Sequence, residues 1–189
     1  PVGQVPENID PRKALLEWML APENPFFAKA VTNRIWAEFY GFGIVHPADD
    51  FRASNPPSNS PLLEWLAKDF IDHDYDLKHL MRRILNSRVY QASSIPNETN
   101  ARDERNYARS LRRRYPAEAM AGAIAQATGI SEKFDGLPPN ARAMTVWNTS
   151  VDSLFLDVFG RPDASAEAPC ERDPSPTIVQ SLHLMNSEK

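Results

Sequence analysis

Apolar residues recur at helical spacing in several separate stretches of the chain, and a short cap-like signal stands before most of them. Asp10-Pro11 reads as an N-cap followed by proline at the first helical position, where the missing N–H costs nothing. The helix it opens is expected to run to about Leu20, with Ala14, Leu15, Trp18 and Met19 as its inward stripe and Pro22 as its stop. Asn24-Pro25 repeats the signal and opens a second helix through Tyr40. Its expected inward face is Phe27, Val31, Ile35, Trp36 and Phe39, with Gly41 placed to cap the C-terminus. Ser60-Pro61 begins a third helix, with Leu62, Leu63, Leu66 and Phe70 buried and Trp65 beside them. Asp76 caps a fourth, expected to reach Tyr90 on Leu77, Leu80, Met81, Ile84 and Leu85. The turn at 73–75 is short, so these two helices should pack as neighbours.

Between Gly41 and Ser60 the helical period disappears. The stretch GFGIVHPADDFRASNPPSNS is dense in Gly, Pro, Asp, Asn and Ser and reads as one long ordered loop. Such a connection is uncommon in a compact domain and is often functional. Phe42, Ile44, Val45 and Phe51 are expected to pin it to the core. Residues 92–103 read as an exposed polar connector, and residues 104–115 as a charged helix, after which Pro116 either begins another helix or kinks this one. The alanine-rich segment AEAMAGAIAQATG follows, with Gly129 as its stop. Residues 131–149 are irregular, Ser150–Phe159 is a short helix, and Ser175-Pro176 starts a last helix on Ile178, Val179, Leu182 and Met185. The expected fold is all-α, with about six or seven helices and long ordered loops, formed by residues 1–189 as a single domain.

Composition changes this picture little. Hydrophobic residues make up 42% of the 189 and charged residues 24%, enough apolar material for a packed core. Seventeen prolines are about twice the usual share, and the cap positions account for several of them. A formal net charge of -4 gives no overall pull towards nucleic acid. No apolar run approaches the roughly 18 to 20 residues of a membrane span, and the opening PVGQVPENID lacks the basic and apolar regions of a signal peptide. The single cysteine, Cys170, excludes an intrachain disulfide and a Cys-x-x-Cys-His haem attachment.

The run NPFFAKAVTNRIWAEFYGFGIVHPADDFRASNPPSNSPLLEWLAKDF resembles the opening of a domain of unknown function, DUF1553, also called PSD1. The resemblance continues through YDLKHLMRRILNSRVYQ, RSLRRRYPAEAMAGAIAQATG, FLDVFGRP and CERDPSPTIVQSLHLMNS, and so covers nearly the whole chain. The motif-matching positions include Asn33, Arg34, Trp36, Asp49, Asp50, Phe51, Arg52, Asn55, Pro56 and Pro57. Later matches include Arg113, Arg114, Glu118, Phe159 to Pro162, Cys170 to Arg172, Gln180 and Asn186. Asn59 departs from a frequent histidine, and Ala168 from a second cysteine in a Cys-x-Cys-Glu-Arg pattern. The resemblance implies a domain of larger proteins in planctomycetes and related bacteria, often beside DUF1549 and sometimes a c-type cytochrome domain. It implies a periplasmic, cell-envelope or secreted location and carries over no catalytic residue.

The candidate site is the 41–60 loop. Asp49, Asp50 and Asn55, with Arg34 and Arg52 near them in sequence, offer either a ligand-binding carboxylate pair or a structural tie. The tie is the preferred reading, since no oxygen-ligand repeat of calcium-loop type is present. His46, His73, His79 and His183 form no i,i+4 metal pair. His73 and His79 are expected to face solvent, and His183 to be partly buried. Cys170 lacks a base nearby in sequence and reads as structural or incidental. The arginines between Arg102 and Arg114 read as a solvated, salt-bridged face.

No cofactor and no metal are expected in this domain; a haem would belong to a separate cytochrome domain. The leading expectation for function is a structural or interaction domain of a larger exported or envelope protein. Its partners would be other domains of the same polypeptide or envelope proteins, with no nucleic acid and no membrane span in this chain. The rival is a carbohydrate-related enzyme or binding domain, for sulfated or other polysaccharide, with its site near the 41–60 loop.

Overall fold

A computed structural model of the chain describes residues 10–21, 23–103, 105–146, 151–162 and 176–186. Among the described residues it has seven α-helices and no strand, which is the all-α class expected. They are α1 (Pro11–Leu20), α2 (Phe26–Tyr40), α3 (Ser60–Asp72), α4 (Leu77–Leu85), α5 (Ala117–Thr128), α6 (Leu154–Val158) and α7 (Ile178–Asn186), with a 3-10 turn at Ala143–Thr145. Over the length read from sequence as one domain, the contacts fall into two compact units, Pro1–Arg112 and Arg113–Lys189.

In the first unit most caps act where the sequence puts them. The Asp10 carboxylate accepts from Arg12 N at 2.9 Å and Pro11 opens α1. The Asn24 side chain accepts from Phe26 N at 3.0 Å, Gly41 closes α2 at φ 85°, and Asp76 accepts from Lys78 N at 2.8 Å. One cap is shifted: Asn59, not Ser60, accepts from Leu62 N at 3.1 Å and sets the start of α3. The α4 helix also stops earlier than its apolar period, at Leu85, where the Ser87 hydroxyl accepts from Tyr90 N and turns the chain.

Helices α2, α3 and α4 pack on one another around Trp36, Leu63, Leu66, Phe70, Leu80 and Ile84, all buried. The loop adds Ile44 and Val45 to this core, with Phe42 and Phe51 packed against it, as expected. Tyr107 arrives from the connector in left-handed backbone, φ 57°, and stacks on Phe42 with centroids 4.8 Å apart. Its edge meets Trp36 and Tyr40, and burial pushes its phenol up to about 12.

Further expectations need correction in this unit. The α2 face is rotated: Ala28, Thr32, Asn33, Trp36 and Tyr40 are buried, whereas Phe27, Val31, Ile35 and Phe39 are only partly so. The α1 stripe reaches no full burial, since Leu15 and Trp18 are about half exposed, at 49% and 48%, and Ala14 and Met19 are only partly buried. Described residues 105–112 are not helical, because Asp103 takes the backbone instead. Its carboxylate accepts from the N–H groups of Arg105, Asn106 and Ala108, an alternative that short polar side chains offer in place of a helix.

The second unit is built on smaller pieces. Its non-helical opening, residues 113–116, completes the stretch read as a charged helix, and Pro116 then opens α5. Gly129 ends α5 at φ 74°, and α5 packs against the 3-10 turn and α6. The Ser153 hydroxyl accepts from Leu156 N and caps α6. Ala117, Phe134, Ala143 and Leu156 form its buried cluster. Helix α7 lies against α6 but buries only Gln180. Its apolar residues Ile178, Val179, Leu182 and Met185, expected to face inward, are exposed. His183 is partly buried beside Phe155 and Phe159, as expected. Pro22, Glu104, Ser150, Ala168, Cys170, Glu171, Arg172 and Ser175 lie outside the described residues.

Candidate functional site

The 41–60 loop is held first by Asn33, a wholly buried residue of α2. Its side-chain oxygen accepts from Val45 N at 2.9 Å, and its amide donates to the carbonyls of Val45 at 2.9 Å and Ala48 at 2.8 Å. A buried amide that satisfies three backbone groups avoids the desolvation penalty each would otherwise suffer. Gly43 is required here by space. A Cβ at that position would lie 2.8 Å from both polar atoms of the Asn33 side chain and closer still to the Val45 carbonyl. Sequence pattern matching marked Asn33 but gave it no part in the loop, because an asparagine amid apolar helix positions resembles any surface polar residue.

The five candidate residues sit around this anchor. Arg34, on α2, forms an ion pair with Asp49, and both side chains are more than half exposed. Asp50 and Arg52 make a two-bond pair at 2.6 Å each, and the guanidinium beside Asp50 holds its carboxyl below the usual carboxylate range. Asn55 donates to the carbonyls of Asp50 at 2.9 Å and His46 at 3.2 Å. Ser58 ties the far end of the loop through its hydroxyl and N–H, both donating to Ile44 O. The structure thus brings Arg34 of α2 together with the four loop residues, and each of the five has a partner within the loop or on α2.

A second constellation lies at the corner between α3 and α4. Asp69, on the inner side of α3, is buried to 9% exposure, and His73 follows it at the helix C-cap. Two residues in left-handed backbone, Asp74 and Tyr75 at φ 52° and 59°, then reverse the chain. The corner delivers His79, in the first turn of α4, back onto Asp69. The His79 Nε2–H donates to Asp69 Oδ2 at 2.9 Å, Arg83 donates to Oδ1 at 3.3 Å, and His73 Nδ1 lies 3.6 Å from Oδ1. The two imidazoles stack with centroids 3.6 Å apart.

Burial pushes the Asp69 carboxyl up, but the hydrogen bonds from His79 and Arg83, with their charges, outweigh it and hold the group below the usual carboxylate range. The expectation that both histidines face solvent holds for His73 and fails for His79, which turns inward to satisfy a buried carboxylate. Beside this corner, α2, α3 and α4 enclose a groove of about 480 Å³. Its floor includes Trp36, Leu66 and Ile84, and its rim carries Trp65, Arg82 and Arg83.

A family model described as a protein of unknown function (DUF1553), PSD1, matches residues 11–189. The chain belongs to that family. No curated protein and no solved structure matches it. The PSD1 description carries no activity with it. No helix among the described residues is long and apolar enough to cross a membrane.

Proposed function

We propose that this PSD1 domain is an interaction domain of a larger exported or envelope protein, and that the groove between α3 and α4 is where a neighbouring domain docks. The observation that carries the reading is the make-up of that groove: an apolar floor beneath a rim of one exposed tryptophan and two arginines. Exposed Trp and Arg flanking apolar ground are the residue types that dominate binding energy at protein interfaces. The arginine rim selects a segment that carries acidic residues beside an apolar anchor. The candidate loop supports the reading from the other side, because Asp49 and Asp50 are engaged by Arg34 and Arg52 and act as ties.

Calorimetric titration of the chain with each domain flanking it in the complete gene product tests this. Association is expected with at least one neighbour, weakened about tenfold or more by Trp65→Ala and by the charge reversal Arg82→Glu. Absence of association with every neighbour overturns the proposal. A second reading is a site for sulfated polysaccharide, favoured by the exposed Trp65 face beside Arg82 and Arg83 and by the exposed Arg34. It would show as saturable binding to a sulfated polymer that falls steeply with salt.

A further inference from the structure

The α3–α4 corner brings together three side chains of the kind that bind transition metals. We infer that Asp69, His73 and His79 form a site for a divalent ion of the zinc class, with water completing its coordination. One ring nitrogen of each histidine and one oxygen of Asp69 lie within 4.8 Å of one another. Metal–nitrogen and metal–oxygen bonds of about 2.0 to 2.2 Å in tetrahedral array put neighbouring ligand atoms roughly 3.3 to 3.6 Å apart. Each histidine already lies near such a distance from one carboxylate oxygen, His79 Nε2 at 2.9 Å from Asp69 Oδ2 and His73 Nδ1 at 3.6 Å from the other oxygen, Oδ1. Two imidazoles and one carboxylate suit zinc, cobalt, nickel or copper, whereas calcium and magnesium prefer an all-oxygen set.

The exchange of partners on binding is balanced at each atom. The ion takes the place of the proton on His79 Nε2, which moves to Nδ1 by exchange through solvent, so the ring binds as a neutral imidazole. His73 gives up its Nδ1–H bond to the Asp69 carbonyl, 2.7 Å, and carries its proton on Nε2 instead; the side chain is 44% exposed, so water can accept from it. The stacked rings are nearly parallel, at 14° with centroids 3.6 Å apart, so both must rotate about their Cβ–Cγ bonds and break the stack for the lone pairs to converge. Arg83 must leave Oδ1. It has a seat ready, since its guanidinium already lies 5.6 Å from the centroid of the Trp65 ring.

The ion would join the end of α3 to the start of α4 across a turn that is otherwise held by hydrogen bonds. The inference does not depend on the docking proposal, because its probe is the metal alone.

Untagged chain, stripped with chelator, is titrated with zinc by calorimetry at neutral pH, and with cobalt followed by visible absorption. One ion per chain is expected, with a raised melting temperature and d–d bands of a low-coordinate cobalt site. His73→Ala, an exposed position that keeps the fold, should weaken binding by about tenfold or more, while His46→Ala should leave it unchanged. In the wild type, nitrogen-correlated spectra should show zinc shifting the imidazole signals of His73 and His79 and not those of His46 or His183. Failure to bind one zinc, binding untouched by His73→Ala, or zinc shifts confined to other histidines each overturns the assignment.

Discussion

The two compact units spend their apolar residues differently. The first closes a core of large side chains, with Trp36, Tyr40, Tyr107, Leu80 and Ile84 in one buried cluster and a long loop stitched down by Asn33. In the second, two of the four buried cluster residues are alanines, and the last helix is fastened mainly by a polar residue. Gln180 donates to Val158 O at 3.1 Å and accepts from Arg114 and from Thr177 N. The contrast separates two ways of holding helices. Large buried side chains secure α2 to α4 through area removed from water, whereas α7 relies on the directional bonds of one amide.

The sharpest way to break that contrast is to truncate the largest wholly buried side chain of each unit. Trp36→Ala removes an indole from the centre of the first core and is expected to cost about 3 to 5 kcal/mol. Leu156→Ala, in the second, is expected to cost about 2 to 4 kcal/mol. Denaturant unfolding of both variants checks the order; equal losses would show that the smaller cluster is as tightly packed as the larger one.

Next comes the loop. Asn33→Ala leaves the Val45 N–H and two carbonyls without their partner, and about 1 to 3 kcal/mol of stability should go with them. Hydrogen exchange at Val45 should accelerate in this variant, and an unchanged rate would show that the loop is held by its apolar residues alone.

The smallest effect belongs to the connector. The N–H groups of Ala108 and Asn106, above all, hold the Asp103 carboxyl below the usual range. A group with a lowered folded pKa contributes stability that is present above its unfolded value near ~3.9 and lost as pH falls through the folded one. Asp103→Asn should therefore lower stability at neutral pH and flatten its decline in acid. Thermal melts of both proteins from pH 7 down to about 3 would show the two curves converging, and parallel curves would remove Asp103 from the pH dependence.

Much of this architecture is legible in the sequence, for reasons that can be named. Asp10, Asn24, Asp76, Gly41 and Gly129 act locally, through bonds to backbone only a few residues away, so their meaning survives without tertiary information. The α2 face was misjudged because hydrophobic periodicity cannot recognise Thr32 and Asn33 as core. Asn33 is buried for the sake of a loop twelve residues distant. The charged segment before Pro116 misled for the opposite reason, since its arginines have good helix propensity while Asp103 offers the backbone another set of bonds. At the candidate site the four loop residues and Arg34 of α2 lie together, as their spacing in sequence suggests. The histidine pair was missed because His73 and His79 meet only after a reversal through left-handed Asp74 and Tyr75.

That reversal carries a consequence for comparing relatives. The corner works only if the residues between the histidines neither grow nor shrink in number, because one inserted residue would swing α4 by about 100° around its axis. His79 would then face another way and the buried carboxylate would lose its donor. Aligned family members should accordingly divide into those that keep Asp-x-x-x-His followed by five residues and a second histidine, and those that lack all three together. A relative with a longer corner and the aspartate still in place would have to supply some other cation to it.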